Sequence, residues 1–299
     1  MSDIKTVAIA GATGNLGPAV LEQVVAAGFD VTVLTRQDTS LSLPPSVRVV
    51  EVDYDSLESL TSALRGQDAV VSVVGAAALA KQTTLVEAAA KAGVKRFLPS
   101  EYGSNTVHPK AAQLPPFRGK IATQEALIQQ AQTSGLTYTL VITGPFFDWG
   151  LKTGFVADVR GRSITLWDGG ERVFSTTTLA TIGRAVAGVL KHPEETKNRA
   201  VYVQDAALSS KQLLEIARRA TGSDDWKANT ASLDEFVDQG WAELRKPQPD
   251  PAKFVRNLIS AAIWGEGYGS RFEKLDNELL GIKEFDEGDI EALIREVAK

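Results

Sequence analysis

An α/β fold built on a parallel sheet is predicted by three observations in this 299-residue chain. The apolar run Thr6–Ala10 passes through Gly11-Ala12-Thr13-Gly14-Asn15-Leu16-Gly17 into a helical pattern from Pro18, the order strand, glycine turn, helix. Apolar or β-branched runs recur at Asp30–Arg36, Val47–Asp53, Ala69–Gly75, Val94–Pro99 and Thr137–Thr143, with helix-length segments between most of them. Several of these runs are apolar almost throughout, as strands covered by helices on both faces must be. The expected architecture is a Rossmann-type doubly wound parallel sheet over residues 1–150. A smaller α/β C-terminal domain over 151–299 follows, with some return of chain to the first sheet.

Composition narrows the function. The net charge is -5, with 43% hydrophobic and 23% charged residues and no basic block, so direct nucleic-acid binding is not expected. There is no cysteine, which excludes disulfides, thiolate catalysis and Cys-ligated metals. His108 and His192 are far apart and lie in no ligand-spaced motif, so no metal site is expected. The segment Met1–Lys5 lacks the pattern of a signal peptide and no apolar stretch is long enough to span a membrane. A cytoplasmic protein without a membrane partner is the expectation, and a homodimer is left open.

Taken in order, Gly11, Thr13, Gly14, Asn15, Leu16 and Gly17 form a turn whose glycines let backbone approach a pyrophosphate. The new helix offers that anion free N–H groups and a positive dipole end. At the tip of the second strand, where such folds read the adenosine ribose, stands Arg36. A guanidinium pairs with a 2′-phosphate bidentately, so the expected cofactor is NADP; Asp38, two residues on, could instead supply an acid for a 2′-hydroxyl. Asp53 ends the third strand near the expected adenine, or caps the following helix. Gly75 ends the fourth strand, as a close approach to the cofactor or a plain turn. A helix over Lys81–Ala92 leads to the fifth strand and the carboxyl-end loop Ser100-Glu101-Tyr102-Gly103. This edge lines the ligand crevice, which makes Ser100 a candidate cofactor contact and Glu101 and Tyr102 candidate substrate contacts, although Ser100 and Glu101 could simply satisfy loop backbone.

Prolines 109, 115 and 116 make residues 105–119 an irregular loop that delivers Lys120 to the start of a helix running to about Thr133. A helix start disfavours a cation unless something recruits it, which singles out Lys120. The sixth strand ends in Gly144-Pro145-Phe146-Phe147-Asp148-Trp149. Pro145 and Phe146 would flank a nicotinamide, and Phe147 and Trp149 an apolar substrate, unless these aromatics are hinge core. Farther on, Ser163–Trp167 and Arg172–Ser175 read as a hairpin across Asp168-Gly169-Gly170. A helix Leu179–Leu190, a strand Ala200–Val203 and a serine-capped helix from Ser210 follow, with a glycine loop at 265–269 placed at the substrate mouth.

Together the Gly11–Gly17 turn, Arg36, Val71–Gly75, Arg96-Phe97-Leu98-Pro99-Ser100-Glu101-Tyr102-Gly103 and Lys120 resemble the isoflavone reductase-like branch of the NmrA-like atypical short-chain dehydrogenases. The Tyr-x-x-x-Lys pair of the better-known short-chain enzymes is absent, because Pro116 stands four residues before Lys120. The resemblance implies an NADP-binding domain, a small substrate domain, a catalytic lysine at Lys120 and reduction of small phenylpropanoid-type aromatic substrates. It leaves a second class open, since some NmrA-like proteins sense the dinucleotide without turnover.

Overall fold

The computed structural model describes residues 3–36 and 43–299. Strands β1 (Thr6–Ala10), β2 (Asp30–Thr35), β3 (Arg48–Glu51), β4 (Ala69–Ser72), β5 (Arg96–Leu98) and β6 (Thr137–Ile142) occupy the first half. Beyond them lie β7 (Ser163–Trp167), β8 (Val173–Thr176), β9 (Arg199–Tyr202), β10 (Ala206–Ser209) and β11 (Lys227–Ala231). The first six strands and β9 form one parallel sheet in the order β3-β2-β1-β4-β5-β6-β9. The order reverses between β1 and β4, which places the ligand crevice at their carboxyl ends.

Helix α1 (Gly17–Ala26) follows the glycine turn, and α2 (Leu57–Leu64) and α3 (Gln82–Ala92) lie against the other face of the sheet. Where the sequence suggests a helix from Lys81, a tight 3-10 turn spans Ala76–Lys81 and the α-helix begins at Gln82. Side chains alternate across β1: Val7 and Ile9 join one core with Val20 and Val24 of α1, while Ala8 and Ala10 join the other with Leu60 and Leu85. Both faces are therefore buried, which explains the near-continuous apolar strands. The short helix α4 (Pro109–Ala112) lies in the irregular loop, and α5 (Arg118–Thr133) carries Lys120 in its first turn.

Helix α6 (Phe147–Thr153) opens the second half, and α7 (Leu179–Lys191) returns to pack Ile182 and Val186 into the core beside α1. A second core collects Phe147, Phe174, Leu213 and Ile294 from α6, β8, α8 (Ser210–Thr221) and the terminal helix. Ser209 caps α8 in a reciprocal box with Gln212. Helices α9 (Leu233–Leu244), α10 (Pro251–Trp264) and α11 (Glu287–Ala298) complete the chain.

The expected hairpin is not formed. β7 pairs in parallel with β11, and β8 pairs antiparallel with β10. The connection explains why: Asp168, Gly169 and Gly170 all take positive φ in succession, one more than a two-residue hairpin turn uses. Asp168 is also held elsewhere, accepting from the Leu233 amide at the start of α9 and from Arg172.

The edge opposite the crevice is tied by Asp68. Its carboxylate accepts from the amides of Lys5 at 2.9 Å and Thr6 at 3.1 Å and from the Lys95 ammonium at 2.6 Å, joining the entry ends of β1, β4 and β5. Burial alone would raise its pKa, but Lys95 and the two amides outweigh that and pull it from 3.8 to about 2. The folded value lies below the unfolded one, so this stabilisation is complete above pH 3.8 and is lost as pH falls through about 2. Asp68→Ala is expected to lower urea-measured stability by about 2 kcal/mol at neutral pH. The acid-unfolding profile of the variant should lack this component.

Candidate active site

At two of its glycines the turn is closed by backbone contacts that leave no room for a side chain. A Cβ at Gly11, which has φ +92°, would stand 2.8 Å from the Val73 carbonyl, and one at Gly17 would stand 2.3 Å from that of Ala12. Strand β1, the turn and β4 are thus in direct contact at the switch point. Gly14 turns its N–H back to the Gly11 carbonyl, and Thr13, Gly14 and Asn15 are exposed at the rim. Helix α1 has neither a side-chain cap nor an acidic residue in its first turn. Its free amides and dipole therefore face the crevice uncompensated. Leu16, by contrast, turns its side chain into the core, so only its backbone is available there.

Arg36 is exposed immediately beyond β2. Tyr54, after β3, donates its hydroxyl to the Leu34 carbonyl at 3.1 Å. Burial raises that phenol to about 12 against the pull of the Arg36 charge, so the two side chains share the end of β2. Asp53 is exposed and its carboxylate accepts the Asp55 amide at 2.9 Å; the cap of α2 is Ser56, which corrects the helix-cap alternative for Asp53. Asp38 lies outside the described residues.

Around the crevice, Gly75 leaves open space where a side chain would stand. Ser100 donates its hydroxyl to the Val74 carbonyl at 2.8 Å and its amide to Gln82 at 2.9 Å, which stitches β5 to β4 and α3. Three buried polar atoms beside these contacts have no hydrogen-bond partner among the described residues: Ser72 Oγ, Gln82 Nε2 and the Tyr102 hydroxyl. All three lie beneath the surface, so they are not themselves ligand contacts. The uncapped start of α1 and the closely packed glycine turn fit the pyrophosphate of a dinucleotide.

Lys120 sits where β5 and α5 meet. Its ammonium donates to the Glu101 backbone carbonyl and lies 5.8 Å from the Phe117 ring centroid. Burial lowers its pKa below the ordinary lysine value, and the negative charge of Glu101 opposes that fall. The Glu101 carboxylate points away from this contact. It is fully buried, accepting from Thr106 at 2.5 Å and from Gln124 at 3.0 Å. Neither partner is evident from residue type alone, although Gln124 lies four residues after Lys120, hence on the same helix face.

The aromatic wall is thinner than the sequence suggests. Phe147 is 0% exposed inside the second core, and Tyr102 is buried as well, so neither ring faces a ligand. Pro145 is buried too, its carbonyl accepting from Thr176 and Thr177. Phe146 and Trp149 are partly buried, and Trp149 stands 6.2 Å from Phe155, which stands 5.8 Å from Trp264. The glycine loop at 265–269 packs on the 105–110 loop through Asn105 to Gly269 at 3.3 Å and Lys110 to the Glu266 carbonyl at 2.7 Å. It therefore adjoins the segment that leads to Lys120. Among the described residues no group of His, Asp and Glu could hold a metal, and no helix is long and apolar enough to cross a membrane.

These features define an α/β protein of the Rossmann class, with a ligand crevice at the switch point and a partly buried lysine beside it. The chain belongs to the NmrA-like family, whose profile matches residues 3–230. Oxidoreductase poxI of Penicillium oxalicum is 34% identical over 288 residues, 92% of this chain and 88% of that protein. Phenylcoumaran benzylic ether reductase Pyrc5 of Pyrus communis is 29% identical over 231 residues, 71% of this chain and 73% of that one. Among solved structures, AtPrR2 with NADP+ and (+)pinoresinol superposes with a TM-score of 0.80 at 21% identity, covering 99% of each chain. At that identity the likeness is one of fold.

Proposed function

We propose that this protein is an NADPH-dependent reductase of small, aromatic, conjugated carbonyl compounds. The observation that carries the reading is the partly buried Lys120 ammonium beside the crevice, with one of its three donors given to the Glu101 carbonyl. NADPH, when bound, supplies the hydride. Gly11–Gly17 and the start of α1 would hold its pyrophosphate, Arg36 its 2′-phosphate, and the Gly75 and Ser100 segments would flank its nicotinamide end. Hydride addition to a conjugated carbonyl leaves negative charge on oxygen. The two remaining Lys120 donors stabilise that charge, and one of them delivers the proton. Trp149 and Phe146 supply apolar surface for a ring, and residues 151–299 would shape the rest of the substrate site. Relatives named as reductases and oxidoreductases support the same reaction class.

The reading is tested by following NADPH oxidation at 340 nm (on the order of micromolar protein) against enones, quinones and aromatic ketones. Turnover with members of this panel is expected. Nucleotide-dependent binding of a protein partner, with no turnover across the panel, would place the chain among dinucleotide sensors instead.

A further inference from the structure

The loop after β5 and the first two turns of α5 are locked together by one residue used twice. Glu101 gives its backbone carbonyl to Lys120 and its side-chain carboxylate to Thr106 and Gln124. Gln124 also donates to the Thr106 hydroxyl at 3.0 Å, which closes a three-membered polar cluster. Lys120 and Gln124 are four residues apart on α5, so one helix face grips both ends of Glu101. A fully buried carboxylate is costly unless hydrogen-bonded, and among the described residues no cation pairs with it directly. Thr106 and Gln124 each donate to a different oxygen of this carboxylate, so the group that anchors the loop also carries its charge one residue's length from the Lys120 contact.

We infer that Glu101 is a positioning residue for Lys120: its clamped carboxylate fixes the carbonyl that receives the ammonium and holds a negative charge on the same residue as that contact. Other charged groups near Lys120 are engaged elsewhere or face solvent. Lys81, on the neighbouring 3-10 turn, pairs with Asp55 at 2.7 Å, and Lys110 lies over the Tyr268 ring at 4.3 Å. The His108 ring accepts the Lys110 amide, and Arg118 and Glu125 on α5 are exposed. Tyr102 is buried beside Glu101, and its pKa is raised by burial and by the Glu101 charge, so it stays neutral.

The kinetic part of this inference rests on the catalytic reading of Lys120, but the charge part is testable without it. Glu101→Gln keeps the shape and, with the Gln124 amide turned over, both hydrogen bonds at position 101, losing the Gln124 to Thr106 contact. In protein labelled at lysine side chains, the Lys120 resonance is identified by its loss in Lys120→Met and titrated by NMR. Its midpoint is expected to fall by about one pH unit in Glu101→Gln. Gln124→Leu, which releases the carboxylate from its clamp, should also move the midpoint and serves if Glu101→Gln does not fold. An unchanged midpoint in the folded variant overturns the inference whatever the activity. A shifted midpoint with an unshifted alkaline limb of kcat supports the charge coupling and removes the catalytic reading instead.

Discussion

Lys120→Met is expected to lower kcat for NADPH-dependent reduction by about 10²–10⁴-fold, the range spanned by removal of a general acid or an oxyanion donor. Methionine keeps the unbranched apolar stem and fits a buried site, so the packing of α5 on the Phe117 segment is retained. What disappears is the donor aimed at the developing oxyanion. NADPH affinity, measured by fluorescence titration, should change by less than about threefold, because charge lost in the transition state alone affects kcat rather than ground-state binding. The pH profile gives a second check. The ammonium is the active form, so the rate should fall as pH rises through the Lys120 pKa. Burial places that alkaline limb below the ordinary lysine value of 10.5, and Glu101 limits how far. Undiminished turnover in the variant would remove Lys120 from the chemistry.

Legibility in the sequence followed the range of the interactions involved. Strands β1, β2, β4 and β6 and the glycine turn are local events, encoded by apolar runs and by backbone demands that only glycine meets, and the structure has them within a few residues of expectation. Lys120 stood out because it contradicts a local rule, a cation in the first turn of a helix, and the structure supplies the carbonyl that recruits it. Pairing partners were another matter. β7 looks like half of a hairpin because β8 follows it closely, yet its partner β11 begins about sixty residues later, and alternation within a strand says nothing about which edge it joins. The same limit explains Phe147. An aromatic after a strand can face a cleft or a core, and the second core that swallows it is assembled from segments spread over residues 151–299. Thr106 and Gln124 were invisible for a related reason: their role is defined by one buried carboxylate that the chain brings between them.

Arg36→Glu should reverse the cofactor preference, reducing the NADPH to NADH affinity ratio by about 10²–10³-fold. A charge-assisted pair contributes about 1.5–3 kcal/mol, and a carboxylate facing the 2′-phosphate adds repulsion to that loss. Each 1.4 kcal/mol is about a tenfold change in affinity. NADH binding should improve at the same time, since an acid at the tip of the second strand accepts from the ribose hydroxyls. The site tolerates the change structurally: Arg36 is exposed, and the end of β2 is held by the Tyr54 hydroxyl on the Leu34 carbonyl rather than by the guanidinium. Dissociation constants for both nucleotides, measured on Arg36→Glu and on Asp38→Asn, separate the two candidate ribose readers. If the ratio is unmoved in Arg36→Glu and rises in Asp38→Asn, the selecting group is the aspartate, reading a 2′-hydroxyl. If the ratio collapses only in Arg36→Glu, selectivity is set by the guanidinium at the end of β2.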